Sequence, residues 1–187
     1  MLKLTINLSS MTTLIVDNDR FMRGLVGQIL HGFGAEPAAV ASSGEEAIRM
    51  MRAHAFDLCV VEAVLPDMSG ADFIRAVRTI KGGQIRFTPI LVLTSYTQMH
   101  QIQDARDAGA NFVARKPISP QTLYDRIVWM GHVNRPFVES LNYNGPDRRF
   151  HDVEPPDGKY NRATDGEAVG RDQDCEASAL GAARGAR

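Results

Sequence analysis

The sequence is poor in several of the features that usually announce a function. It has two cysteines in 187 residues, Cys59 inside an apolar run and Cys175 in a polar stretch, so a disulfide framework and a thiolate zinc site are both excluded. Its five histidines, His31, His54, His100, His132 and His151, are scattered with no pair at metal-ligand spacing. Neither sign of charge prevails: 21 Lys+Arg stand against 22 Asp+Glu, for a formal net charge of -1. A chain so balanced has no global basic field, and DNA is not an expected partner. Long apolar runs are missing too. Nothing approaches the ~18 consecutive apolar residues of a membrane span, and the opening MLKLTINLSS has one lysine and no sustained apolar core, unlike a secretory signal. The expectation is a soluble, cytoplasmic protein with no membrane partner, whose residues 1–11 form a loose arm before the first convincing strand.

From Thr12 to about His132, short apolar runs alternate with segments of helical period, the pattern of repeated βα units around a parallel sheet. The runs are Leu14-Ile15-Val16, Ala38-Ala39-Val40, Leu58 to Val61, Ile90 to Leu93 and Phe112-Val113-Ala114. Most are continuous rather than alternating, as in strands buried on both faces. Phe21, Leu25 and Ile29 recur at i, i+4 and i+8, and Phe73, Val77 and Ile80 at i, i+4 and i+7, which predicts apolar stripes of helices packed on the sheet. Ser43, Ser69 and Ser119 stand where helix N-caps belong, with Pro120 at a first helical position. The predicted fold is a doubly wound α/β domain with about five parallel strands. After residue 150 large apolar groups are nearly absent, so residues 151–187 are read as a disordered tail.

In such a sheet the carboxyl ends of the strands form the ligand crevice. Asp17-Asn18-Asp19 ends the first strand, Glu62 the third and Thr94-Ser95 the fourth, while Lys116-Pro117 follows the fifth. Acidic oxygens, a hydroxyl and an ammonium converging there have the chemistry to hold a divalent cation with a phosphoryl group. Here the segments LIVDNDRFMR, DLCVVEAVLPDMSG, PILVLTS and DAGANFVARKPIS resemble the receiver domains of bacterial response regulators, over roughly residues 12 to 132. The resemblance implies a non-enzymatic module of two-component signalling that works with kinases and downstream proteins. By position it places the acidic pair on Asp17 and Asn18, the phosphoacceptor on Glu62, the hydroxyl on Thr94 and the ammonium on Lys116.

Three departures from the family pattern bear on activity. Glu62 stands where the family has its phosphoaccepting Asp, and its carboxyl lies one methylene further out, about 1.5 Å. A nucleophile misplaced on that scale loses about a hundredfold in rate. Asn18 replaces an acid, leaving Asp17 and Glu62 as carboxylates for a weakened Mg²⁺ site with no cofactor required. Val113 occupies the position of the family's switch aromatic, and Phe112 beside it faces the other side of the strand. Together these predict an atypical receiver in which Glu62 pairs with Lys116 by a charge-assisted hydrogen bond. An ordinary phosphorylatable receiver in a phosphorelay is the competing reading.

The stretch RPFVESLNYNGPDRRF, residues 135–150, combines Arg135, Arg148 and Arg149 with Phe137 and Tyr143 around Asn144-Gly145-Pro146. Arginine forks bind phosphates or guanine edges and aromatic rings stack on bases, so cyclic di-GMP is a candidate ligand of this extension, with Tyr143 as the stacking ring. The other reading is a linker that packs back on the domain or contacts a partner protein.

Overall fold

The computed structural model describes residues 7–95, 99–132, 136–140, 143–147 and 168–169. Strands β1 (Thr13–Val16), β2 (Ala39–Ala41), β3 (Leu58–Glu62), β4 (Ile90–Thr94) and β5 (Phe112–Arg115) alternate with helices α1 (Arg20–Gly32), α2 (Gly44–Ala53), α3 (Gly70–Arg78), α4 (Met99–Asp107) and α5 (Pro120–His132). The strands form one parallel sheet in the order β2-β1-β3-β4-β5. The chain leaves β1 toward β2 on one side and returns to β3 on the other, so the crevice opens at the carboxyl ends of β1 and β3.

Alternate residues of the central strands feed two cores. Leu14, Val16, Cys59, Val61 and Val92 join Met51, Phe73, Ile74 and Val77 on one face. Ile15, Leu58, Val60, Leu91 and Leu93 join Val26, Leu30, Leu123 and Ile127 on the other. The predicted serine caps form: Ser43 accepts from Glu46 N–H, Ser69 from Asp72 N–H and Ser119 from Thr122 N–H. Asp67 adds a cap from a distance, its two oxygens accepting from the Gly44 and Glu45 amides at the start of α2. Those bonds, Glu45's first, hold its carboxyl below the ordinary Asp range.

The structure corrects three expectations and adds one element. β2 begins one residue later than its apolar run and lies at a sheet edge, with Val40 48% exposed, so burial on both faces does not extend to it. Of the stripe Phe21-Leu25-Ile29 on α1, only Ile29 packs against the core. Val26 and Leu30 are buried, whereas Phe21 is 73% and Leu25 36% exposed. At about 100° per residue, Phe21 lies roughly 140° around the helix from Val26, and the periodicity took the second of two apolar stripes for the first. Phe21→Ser is therefore expected to change stability by no more than about 0.5 kcal/mol; urea denaturation checks this, and a loss of several kcal/mol would return Phe21 to the core.

The arm read as loose is anchored within its described part, because Leu8 is 1% exposed in the α1–α5 core. Finally, the extension forms an antiparallel hairpin, β6 (Phe137–Ser140) and β7 (Tyr143–Pro146), with Phe137 opposite Pro146 and Ser140 opposite Tyr143. A two-residue strand, β8 (Ala168–Val169), pairs with the other edge of β6. Apart from those two residues, the stretch 151–187 read as a disordered tail lies outside the described residues, as do Arg135, Arg148 and Arg149.

Candidate functional site

β1 and β3 run side by side, Val16 against Val61, and this register delivers Asp17 and Glu62 to neighbouring strand ends. Lys116 follows β5, its amide bonded to the Thr94 carbonyl, and its side chain reaches back across the crevice. The Lys116 ammonium donates to Asp17 Oδ2 at 2.7 Å and to Glu62 Oε2. All three side chains are at most 10% exposed. The expected Glu62–Lys116 pair is thus present, with Asp17 as a third member.

The remaining carboxylate oxygens are also engaged. Asp17 Oδ1 accepts from Asp19 N–H at 2.8 Å and Glu62 Oε1 from Ala63 N–H at 2.7 Å. Each of the four oxygens therefore already receives an N–H, as buried carboxylates require. Arg23 of α1 donates to the Asp17 main-chain carbonyl, fixing the turn that carries the acid. Burial alone would pull the Lys116 ammonium down, but hydrogen bonds and charge from Asp17 and Glu62 outweigh it and lift the group above the ordinary lysine value. The amine is held protonated, as a cation rather than a nucleophile.

This donor set does not suit the Mg²⁺ ion that the sequence reading gave to Asp17 and Glu62. The ammonium occupies the space between the carboxylates, and Asn18, exposed at the cleft wall, brings a neutral amide, a weaker ligand than the acid of the family pattern. Among the described residues no group of three or more His, Cys, Asp or Glu converges as a ligand set. Thr94 is 2% exposed at the end of β4, where its position predicted it. Val113 packs in the α2–α4 core and Phe112 in the opposite one, against Trp129. The two point to opposite faces, as the alternation required.

Sequence reasoning missed several contributors. Asp19 caps α1 through Phe21 N–H, a role legible in its position before the helix. Gly70 lies so close to β3 that a Cβ there would come within 2.8 Å of the Glu62 carbonyl, so the start of α3 is pressed against the strand end that carries the acid. Phe21, Met22, Leu25 and Ile29 of α1, with Pro117 and Ile118, wall a cleft of about 560 Å³ that leads to Asp17, Glu62 and Lys116. Tyr143 is not the open stacking ring expected: its hydroxyl donates to the Pro146 carbonyl inside the hairpin.

Comparison with known proteins agrees with this fold. The response regulator receiver domain model matches residues 13–128. The chain belongs to the response regulator receiver domain family. Chemotaxis protein CheY of Pseudomonas aeruginosa is 33% identical over 117 residues, 63% of this chain and 93% of that protein. CheY-3 of Vibrio cholerae is 30% identical over 118 residues, 63% and 89% of the two chains. The crystal structure of CheY4 of Vibrio cholerae superposes with a TM-score of 0.59 at 32% identity, covering 65% of this chain and 99% of that one. The chain is thus a receiver-domain response regulator of two-component signalling, a module that interacts with kinases and downstream targets. Among the described residues, no helix is long and apolar enough to cross a membrane.

Proposed function

We propose that this receiver is a pseudo-receiver: it signals by protein–protein contact from one fixed pocket state and does not cycle through an acyl phosphate. The observation that carries this reading is the Lys116 ammonium seated between Asp17 and Glu62 with every carboxylate oxygen already bonded. Phosphoryl transfer needs a free carboxylate oxygen in line with the donor and a cation to gather charge from the transferring oxygens. Glu62 offers its outer oxygen to Lys116 instead, and the pair occupies the place of a phosphate–lysine contact.

The apolar wall of α1 gives this reading a surface. Phe21 and Leu25 stand exposed beside the closed pocket, and exposed apolar groups gathered around a cleft are a common mark of a protein-binding face. The cyclic di-GMP alternative draws nothing from the described part of the extension, because Tyr143 is engaged within its hairpin and the hairpin packs on the domain.

Titration with Mg²⁺ and beryllium fluoride, a phosphoryl mimic, tests the reading by amide NMR. The amides of residues 17–19, 62–63, 94–95 and 115–116 are expected to stay in place through millimolar additions, while Glu62→Asp combined with Asn18→Asp gives saturable shifts at the same amides. Saturable shifts in the unaltered protein would overturn the closed pocket.

A further inference from the structure

Strands β6 and β7 lie beyond the family match, which ends at 128, yet several independent contacts fix them to the domain at the end of the sheet opposite the pocket. Arg78, the last residue of α3, is 2% exposed. Its Nε and Nη2 donate to the Gly109 carbonyl, Nη1 to the carbonyls of Arg86 and Thr88, and Nη2 also to Asn111 Oδ1. The guanidinium thereby ties the loop before β4 to the loop before β5 entirely through neutral acceptors.

The hairpin covers this knot. Phe137, 8% exposed, places its ring 5.8 Å from the Arg78 guanidinium carbon and edge-on to Phe87 at 4.7 Å between centroids. Glu139 pairs with Arg86. Gly145 and Gly109 meet back to back: a Cβ on Gly145 would lie 2.7 Å from the Gly109 Cα, and one on Gly109, whose φ is +104°, would lie 2.6 Å from the Asn144 carbonyl oxygen. Both contacts are main chain against main chain, which cannot yield as a flexible side chain would.

We propose that the face formed by Arg78, the Arg86–Thr88 loop and the Gly109 turn is a self-docking socket whose occupant is the chain's own β6–β7 strand pair, so that receiver and hairpin form one cooperative unit. The socket selects a hairpin with an aromatic ring over the guanidinium, an acidic residue for Arg86 and a glycine against Gly109. Its occupation closes this face to other proteins.

Hydrogen exchange on the full chain tests the coupling. If the two are one unit, the hydrogen-bonded hairpin amides exchange only through global unfolding, within about tenfold of the slowest β3 amides. Exchange a thousandfold or so faster would show a flap that opens by itself and would overturn the proposal. As a second measurement, Gly145→Ala is expected to lower the Tm read from Trp129 fluorescence by about 5 °C, from an overlap that cannot relax. Gly24→Ala, with nothing within 4 Å of the new methyl, is expected to leave it unchanged or slightly raised. An undiminished Tm in Gly145→Ala would likewise count against the socket.

Discussion

Lys116→Met is expected to destabilise the domain by about 3–5 kcal/mol at neutral pH, the usual consequence of leaving buried charge without its partner. The ammonium is the shared donor of Asp17 and Glu62, and both acids are buried. Without it two buried carboxylates face each other with no cation between them. In the unaltered protein the raised Lys116 value sets the pH reach of the triad: its contribution is complete below the unfolded lysine value, about 10.4, and is lost as pH rises through the higher folded value. Urea denaturation of both proteins at neutral pH and above about pH 10 checks this. A loss below about 1 kcal/mol at neutral pH would mean that the triad is not a coupled unit.

Arg78→Ala carries the other large effect, expected at about 4 kcal/mol. Truncation removes five hydrogen bonds and leaves the carbonyls of Arg86, Thr88 and Gly109 short of a donor, while the Asn111 side-chain oxygen keeps the Ile90 N–H. Unsatisfied buried acceptors cost about 1–3 kcal/mol each when no water reaches them, and the emptied volume adds to this. Partial collapse and entering water keep the sum below that of three full penalties. Burial already pushes the guanidinium down to about 10, so it remains charged at neutral pH. Arg78→Lys keeps that charge but has three donors on a flexible stem in place of a planar fork, and about half of the loss should remain. Denaturant midpoints of the two variants check the order. An alanine variant within 1 kcal/mol of the unaltered protein would show that the knot is not a stabilising element.

The sequence made the receiver fold legible because its signals agree at each level. Continuous runs such as Leu58 to Val61 become central strands, and Ser69 and Ser119 cap the helices that their positions announced. The Glu62–Lys116 pair was equally accessible, since the strand ends of a parallel sheet bring those residues to one crevice. Other features depended on information that local patterns lack. On α1 two apolar stripes share one helix, and only the packed sheet decides that Val26 and Leu30 face inward while Phe21 and Leu25 do not. Leu8 could not be placed because its burial depends on a pocket assembled from Leu30, Leu58 and their neighbours. The role of Arg78 was not legible, because its main-chain acceptors lie in loops 8 to 31 residues away. The extension's arginines and aromatics suggested a ligand. Its described aromatics instead pack on the domain and within the hairpin, a pairing set by the glycine contact between positions 109 and 145.

The most direct test of the closed pocket is intact mass spectrometry after incubation with a small phosphodonor and Mg²⁺. The unaltered protein is expected to show no species heavier by one phosphoryl group, because Glu62 is held by Lys116 and Asn18 does not supply the second anionic ligand. Glu62→Asp combined with Asn18→Asp is expected to gain such a species, as a shortened carboxylate releases the ammonium and restores the acid pair. A phosphorylated species in the unaltered protein that disappears in Glu62→Gln would contradict the account.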